Sequence, residues 1–365
     1  MRTKRWLALG LAATSLALVL LLGIRLLEDW RIRLRTLVKL DPPAAPTILR
    51  LDGGAFTVTG ALVRRTAPDR AVLRAWAPTP TIAALDPAPT GTATVEVENL
   101  PLRVRLSASG PVEETRAGPT RTLRWSPRLT RYIGFAAPTD HVTFTVLGDT
   151  GDSHIFAEAL RLSAAGGADF LLHVGDLIYE DVQMPNIEKI LAASPVPIFI
   201  ARGNHDYRNA ARIDFMRRLA PSYYSFRMGG ATFVVLDNAG DYLPGLWRWS
   251  TQYRWWTEAL GQPREGPFFV AMHKPPFDRR PGPRYAAMLD GAFARQLMRD
   301  FDGARVVAVF TGHVHATHLW VEDGIPYVVS GEGYTSPDGP DRSRMAWVRV
   351  RGWDVAIEQT RIFAD

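Results

Sequence analysis

Five short apolar runs from Phe144 onward each lead to a residue able to ligate a metal. This pattern restricts the possible fold more than any other feature. Phe144-Thr-Val-Leu147 leads into Gly148-Asp149-Thr-Gly151, and the run Asp169–Val174 leads into Gly175-Asp176-Leu-Ile-Tyr179. The run Val196–Ile200 precedes Gly203-Asn204-His205-Asp206, Pro267–Val270 precedes His273, and Arg305–Thr311 precedes Gly312-His313-Val-His315. Runs of four to eight apolar, β-branched or aromatic residues bounded by Gly and Asp read as buried strands. Open sheets build their sites just outside strand carboxyl ends. The five ends are therefore expected to converge.

Between these strands the sequence predicts helices from His154 to about Ala165, Asn186 to Ala193, Ser250 to Leu260 and Gly291 to Phe301. Strand and helix alternation means a layered α/β unit. With hairpins expected at 223–237 and 325–358, a four-layer α/β/β/α sandwich over residues 140–365 fits best. From 41 to 139 the pattern differs. Proline-rich Asp41–Pro46 breaks any helix, and short runs follow at 55–59, 70–76, 93–98 and 102–106, separated by Gly, Pro and Thr. Such spacing suggests a small all-β, sandwich-like domain. It contains no His and no cluster of carboxylates, so it reads as a spacer or docking module.

The net charge of +6 raises the question of a polyanionic partner. Residues 1–40 hold eight basic side chains against Glu28 and Asp29, which accounts for the whole excess. No nucleic-acid partner is expected. Trp6–Ile24 carries no charge, and those 19 residues as a helix would be roughly 28 Å long, close to a bilayer's hydrocarbon thickness. Residues 1–40 are thus expected to be a membrane anchor with a basic juxtamembrane helix, the body of the protein lying outside the cytoplasm. A secreted form after signal cleavage is the alternative. The chain has no cysteine, which excludes disulfides, thiolate ligands and a cysteine nucleophile.

Asp149, Asp176, Tyr179, Asn204, His273, His313 and His315 offer carboxylate, amide, phenolate and imidazole donors, a set suited to hard or borderline cations. Seven candidates exceed what one ion with an open position takes, so two ions are expected, with Asp176 between them. Any one of these residues taken alone would be an ordinary turn or structural residue. Their joint occurrence, in order and each at a strand end, is the argument.

The series DxG, GDxxY, GNHD, VxxH and GHxH at 149–151, 175–179, 203–206, 270–273 and 312–315 resembles the calcineurin-like metallophosphoesterases. Within them it is similar to the purple acid phosphatases, in which Gly replaces the His of a DxH first motif and the Tyr of GDxxY becomes a ligand. This chain has both Gly151 and Tyr179. The resemblance implies a first ion, normally ferric iron, on Asp149, Asp176, Tyr179 and His315, and a second, iron, zinc or manganese, on Asp176, Asn204, His273 and His313. Asp152-Ser-His154 is itself a DxH string, but Asp149 directly ends the apolar run and is preferred.

Two cations would neutralise a phosphate ester and acidify the attacking water. His205 is the candidate proton donor to the leaving group, with Asp206 to orient it. Arg202, Lys274, His318 and His154 are candidate substrate contacts. The expected activity is that of a phosphomonoesterase acting on a phosphorylated small molecule. A phosphodiesterase for cyclic nucleotides or lipid head groups is the alternative on the same site, decided by loops 207–222 and 274–287. A non-catalytic surface protein binding phosphate or a polyanion is the alternative of another class.

Overall fold

The computed structural model describes residues 37–363 apart from 53, 86–90, 208–210, 241, 281–286 and 336–338, together with the helical positions Gly23, Leu27, Trp30 and Leu34. The expected membrane segment therefore lies outside the described residues except for Gly23. Among the described residues no helix is long and apolar enough to cross a membrane.

Residues 47–136 fold into two five-stranded sheets. One joins Thr47–Leu51, Gly54–Thr59, Thr81–Ala84, Tyr132–Ala136 and Arg105–Ala108, and the other joins Ala61–Thr66, Arg70–Ala75, Ala93–Glu98, Thr120–Trp125 and Glu113–Ala117. Ala93–Glu98 alternates buried and half-buried positions, the period-2 signature of a strand with one face on a core. That core holds Val58, Leu73, Val95, Leu123 and Trp125 and is distinct from the clusters of the second half. The strand expected at 102–106 starts later, at Arg105. Pro101 begins a turn closed by Val104 N–H donating to its carbonyl at 3.2 Å, and Val104 is buried there.

The second half contains two further sheets. In the first, His141–Leu147, Phe170–His173 and Ile198–Ile200 run parallel, flanked by the antiparallel strands Arg344–Arg351 and Asp354–Arg361. In the second, Ala231–Val235, Phe268–Ala271, Ala308–Thr311 and Ile325–Ser330 are parallel, with Tyr224–Met228 and Thr317–Glu322 antiparallel at the edges.

Strand alternation explains the layering. Phe233, Val235, Phe269 and Phe310, with Phe226 on the edge strand, face the first sheet, where Phe144, Phe170 and Phe199 meet them, and the Phe144 ring packs within 6 Å of four others. The intervening Val234, Val270 and Val309 face the opposite way, onto Trp256, Phe293, Leu297 and Phe301. Those four belong to the helices Thr251–Leu260 and Gly291–Gly303. Helices His154–Ala165 and Met184–Ala193 bury Phe156, Leu160 and Ile187 against the first sheet. The layers are helix, sheet, sheet, helix. Strands covered on both faces must be apolar throughout, which is why they read as unbroken runs.

Helix starts follow local chemistry. Ser153 and Ser250 accept N–H bonds from Phe156 and Tyr253, and Asp290 caps the helix at Gly291. One helix, Ala211–Arg218, occupies a stretch expected to be loop.

Candidate metal centre

The parallel strands of both sheets deliver their carboxyl ends to one edge, where the connecting turns are bonded to each other. Asp149 N–H donates to the Gly175 carbonyl at 2.8 Å, Gly312 N–H to that of His273 at 2.9 Å, and Gly148 N–H to that of Ser330 at 2.7 Å. Neighbouring backbones come so close that glycine is required at some points. A Cβ at Gly203 would stand 2.1 Å from the Asp176 nitrogen, and one at Gly312 would stand 2.5 Å from Asp149 Oδ2.

The structure brings all seven expected ligands together. One ligand atom each from Asp176, His273 and His313 lie within 4.8 Å of one another, and so do atoms from Asp149, Asp176 and His315. Asp176 is common to both groups. Asn204 Oδ1 lies 3.0 Å from His273 Nε2, and Tyr179 OH lies 3.4 Å from His315 Nε2, so each of these two residues adjoins one group. Asp152 does not take part. Its carboxylate accepts from Gln183 and Asn186, which fixes the motif at Asp149.

Four of the donors sit in strained backbone. Asp149, Asp176, His313 and His315 have φ of 57°, 57°, 67° and 47°, and they make up half of the eight non-glycine residues with positive φ among those described. Such conformations cost of order 1–3 kcal/mol each and cluster at functional sites.

Donor chemistry and charge test whether cations fit. Asp149 Oδ1 and Asp176 Oδ2 are buried and accept no hydrogen bond, yet they face His315 Nε2 at 3.5 Å and His273 Nε2 at 3.3 Å. A buried carboxylate oxygen without a donor is expensive. Burial pushes the Asp149 carboxyl above its ordinary range, with Asp176 adding to the shift. Burial pushes Asp176 the same way, but adjacent His273 and the His205 N–H outweigh it and hold the carboxyl low. His273 is opposed by its own burial but raised to about 9 by Asp176. Burial and both carboxylates raise the Tyr179 phenol. Negative charge thus exceeds what the protein supplies in compensation, a deficit that cations would fill. His273 Nδ1 lies 2.8 Å from the Val174 carbonyl, which can only accept, so Nδ1 holds a proton and Nε2 is the nitrogen that would turn its lone pair to a bound cation. The residues fit metal ions.

Other expected site residues fare differently. His205 is half-buried, its ring 4.4 Å from that of Tyr179. Asp206 does not have the orienting role expected of it. It is fully buried, and its carboxylate accepts from the backbone N–H groups of Gly203, Asp176 and Ile178, tying two motif loops together. Arg202 is not an available phosphate contact, because it is fully buried and its guanidinium donates twice to Asp237. His154 is exposed at the start of its helix and packs against Phe363. His318 lies on the edge strand Thr317–Glu322, stacked on Trp320 at 5.1 Å. Lys274 is buried beside the site, with its N–H and carbonyl both bonded to the Asn238 side chain.

Sequence reasoning passed over Gln183, Asp237 and Asn238. Gln183 Oε1 accepts from Tyr179 N–H at 2.8 Å and so fixes that residue. Asn238 Oδ1 accepts from His273 N–H at 3.1 Å. The signal for the last two was present, since Phe233-Val-Val-Leu-Asp237-Asn238 repeats the motif of an apolar run ending in polar donors.

Comparison with known proteins agrees with the geometry. The family model for the calcineurin-like phosphoesterases matches residues 142–317. A serine/threonine-protein phosphatase, CPPED1, of Danio rerio is 27% identical over 181 residues, covering 44% of this chain. The chain spans 58% of that relative's length. Among solved structures, a purple acid phosphatase from yellow lupin (Lupinus luteus) seeds superposes with a TM-score of 0.50 at 13% identity, over 84% of this chain and 72% of the lupin chain. A dimetal phosphatase from Danio rerio gives 0.48 at 13% identity, over 62% of this chain and 98% of its own. Through residues 142–317 the chain carries a calcineurin-like phosphoesterase domain.

Proposed function

We propose that the protein is a two-metal phosphomonoesterase of the purple acid phosphatase type. The observation that carries this reading is Asp176, whose carboxylate belongs to both donor groups. Asp149, Asp176, Tyr179 and His315 would hold one ion, normally iron, and Asp176, Asn204, His273 and His313 a second, iron, zinc or manganese. Such a pair, when bound, neutralises phosphate charge and acidifies water. The subtype is supported at position 151. A Cβ there would lie 3.2 Å from Tyr179 Cδ2, so the tyrosine ring fills the space beside a first-motif glycine. Tyr179 N–H is bonded to Gln183, which keeps the phenol directed at His315.

His205 supplies the proton for the leaving oxygen. Its backbone N–H donates to Asp176 Oδ1 at 2.7 Å, so the loop that carries the ring is tied to the shared carboxylate. His205→Gln is expected to lower kcat by ~10²–10⁴-fold at unchanged metal content. The loss should shrink for esters with acidic phenol leaving groups, which need no proton. Equal losses for alkyl and nitrophenyl phosphates would exclude the role. Hydrolysis of a nitrophenyl monoester in preference to its diester, with iron, zinc or manganese supplied, tests the reaction class.

A second expectation concerns colour. Iron-loaded protein should show a visible tyrosinate-to-iron band that disappears in Tyr179→Phe. A colourless wild-type protein holding manganese or zinc would remove the subtype while leaving the phosphoesterase.

The same reading takes residues 41–139 as a separate domain and the N-terminal segment as an anchor holding the phosphoesterase outside the cytoplasm. Resistance of the catalytic half to protease added to intact cells would count against that placement.

A further inference from the structure

The segment that leaves the N-terminal helix is buried in the catalytic half. Val38, Lys39 and Asp41 are 6%, 2% and 9% exposed. Lys39 turns the chain out of the helix at φ 54°. Thr251 Oγ1 donates to the Lys39 carbonyl at 2.9 Å and to that of Asp41 at 2.6 Å, and Tyr223 OH donates to the latter at 2.8 Å. Lys39 Nζ reaches Asp237 Oδ1 at 3.1 Å, while Arg202 takes Oδ2 of the same carboxylate and lies 3.6 Å from Asp41. Both cations sit over the Tyr207 ring, 4.2 Å and 4.1 Å from its centroid.

This cluster borders the site on two sides. Arg202 and Tyr207 bracket the loop carrying Asn204 and His205, and Asp237 adjoins Asn238, which holds the N–H groups of His273 and Lys274. Burying such charges yields little net stability over apolar packing, and their best-attested use is to fix one arrangement. Lys39 lies about a hundred residues before the matched phosphoesterase domain, so this brace belongs to the chain's own N-terminal segment.

We propose that Lys39 is a positioning residue of the phosphoesterase site: with Arg202 it clamps Tyr207 and Asp237, so that seating of the N-terminal segment sets the geometry of loop 203–207. The inference rests on the function proposed above only for its activity arm. A protein trimmed of its first 40 residues would lack the brace.

The test compares full-length wild type, Lys39→Met, Lys39→Arg and Tyr207→Leu by amide hydrogen exchange over 203–206 and by kcat per metal-loaded site. Lys39→Met should speed exchange by about tenfold and lower kcat by about tenfold or more with KM little changed. Lys39→Arg should recover much of both. Should Lys39→Met fail to fold, Tyr207→Leu, which keeps the Lys39–Asp237 and Arg202–Asp237 ion pairs, should reproduce both effects. Wild-type exchange and kcat in the soluble variants would overturn the proposal, including where only the melting temperature falls. If wild type hydrolyses no phosphate ester, the proposed function fails, and the exchange arm still decides the role of Lys39.

Discussion

Asp176→Asn is expected to remove both metal ions and the activity together. Asp176 is the one side chain present in both donor groups, so no other single ligand should have this double effect. Even an outer partner of a metal ligand is worth 10–100-fold in affinity or activity, and losing a shared ligand should cost at least ~10³-fold in kcat/KM. The fold should survive. An asparagine oxygen still accepts the His205 N–H that Asp176 Oδ1 takes at 2.7 Å, and the other carboxylate oxygen has no hydrogen bond to lose. Metal content and kcat/KM measured on the same preparation check this. Loss of activity with both ions retained would mean that Asp176 does not join them.

Arg202→Met carries the largest expected stability effect. The Arg202 guanidinium is fully buried, donating from two nitrogens to an equally buried Asp237, and removing it leaves that carboxylate only Lys39 as a cation. Breaking one side of a buried pair costs about 3–5 kcal/mol, which lowers the melting temperature by roughly 6–20 °C. Arg202→Lys should recover only part, because an ammonium cannot reproduce the two-pronged contact. Burial works against the Asp237 charge, but Arg202 and Lys39 outweigh it and hold the carboxyl below its ordinary range. The folded state therefore takes up protons less readily than the unfolded chain. The stability this contributes is present above about pH 4 and is lost as the pH falls below it. A phosphate-binding arginine would behave differently, with a raised KM and unchanged melting.

The contrast between these two residues shows what the sequence made legible. Asp176 could be read because it ends an apolar run, and a strand buried on both faces announces itself as such a run. Helix His154–Ala165 was readable through the spacing of Ile155, Ala159, Leu160 and Leu162. Arg202 looked like a phosphate contact because it adjoins a ligand motif, and adjacency says nothing about burial. Its partners Asp237 and Asp41 lie 35 residues after it and 161 before it, separations at which no periodicity survives. Asp206 misled in the same manner. It stands next to His205 in sequence, but the turn directs its carboxylate into the backbone of the neighbouring loop. Helix Ala211–Arg218 escaped notice because its buried Phe215 stands in sequence among the charged residues Asp214, Arg217 and Arg218. Strand Arg105–Ala108 was misplaced because Val104 is apolar and buried yet belongs to a turn.

The most direct test of the central claim is anomalous diffraction, at the absorption edges of the bound metals, from crystals of the metal-loaded protein. The account predicts two peaks about 3.5–4 Å apart on either side of the Asp176 carboxylate, one beside Asp149, Tyr179 and His315 and the other beside Asn204, His273 and His313. A single peak, or ions bound elsewhere with Asp176 uncoordinated, would contradict it.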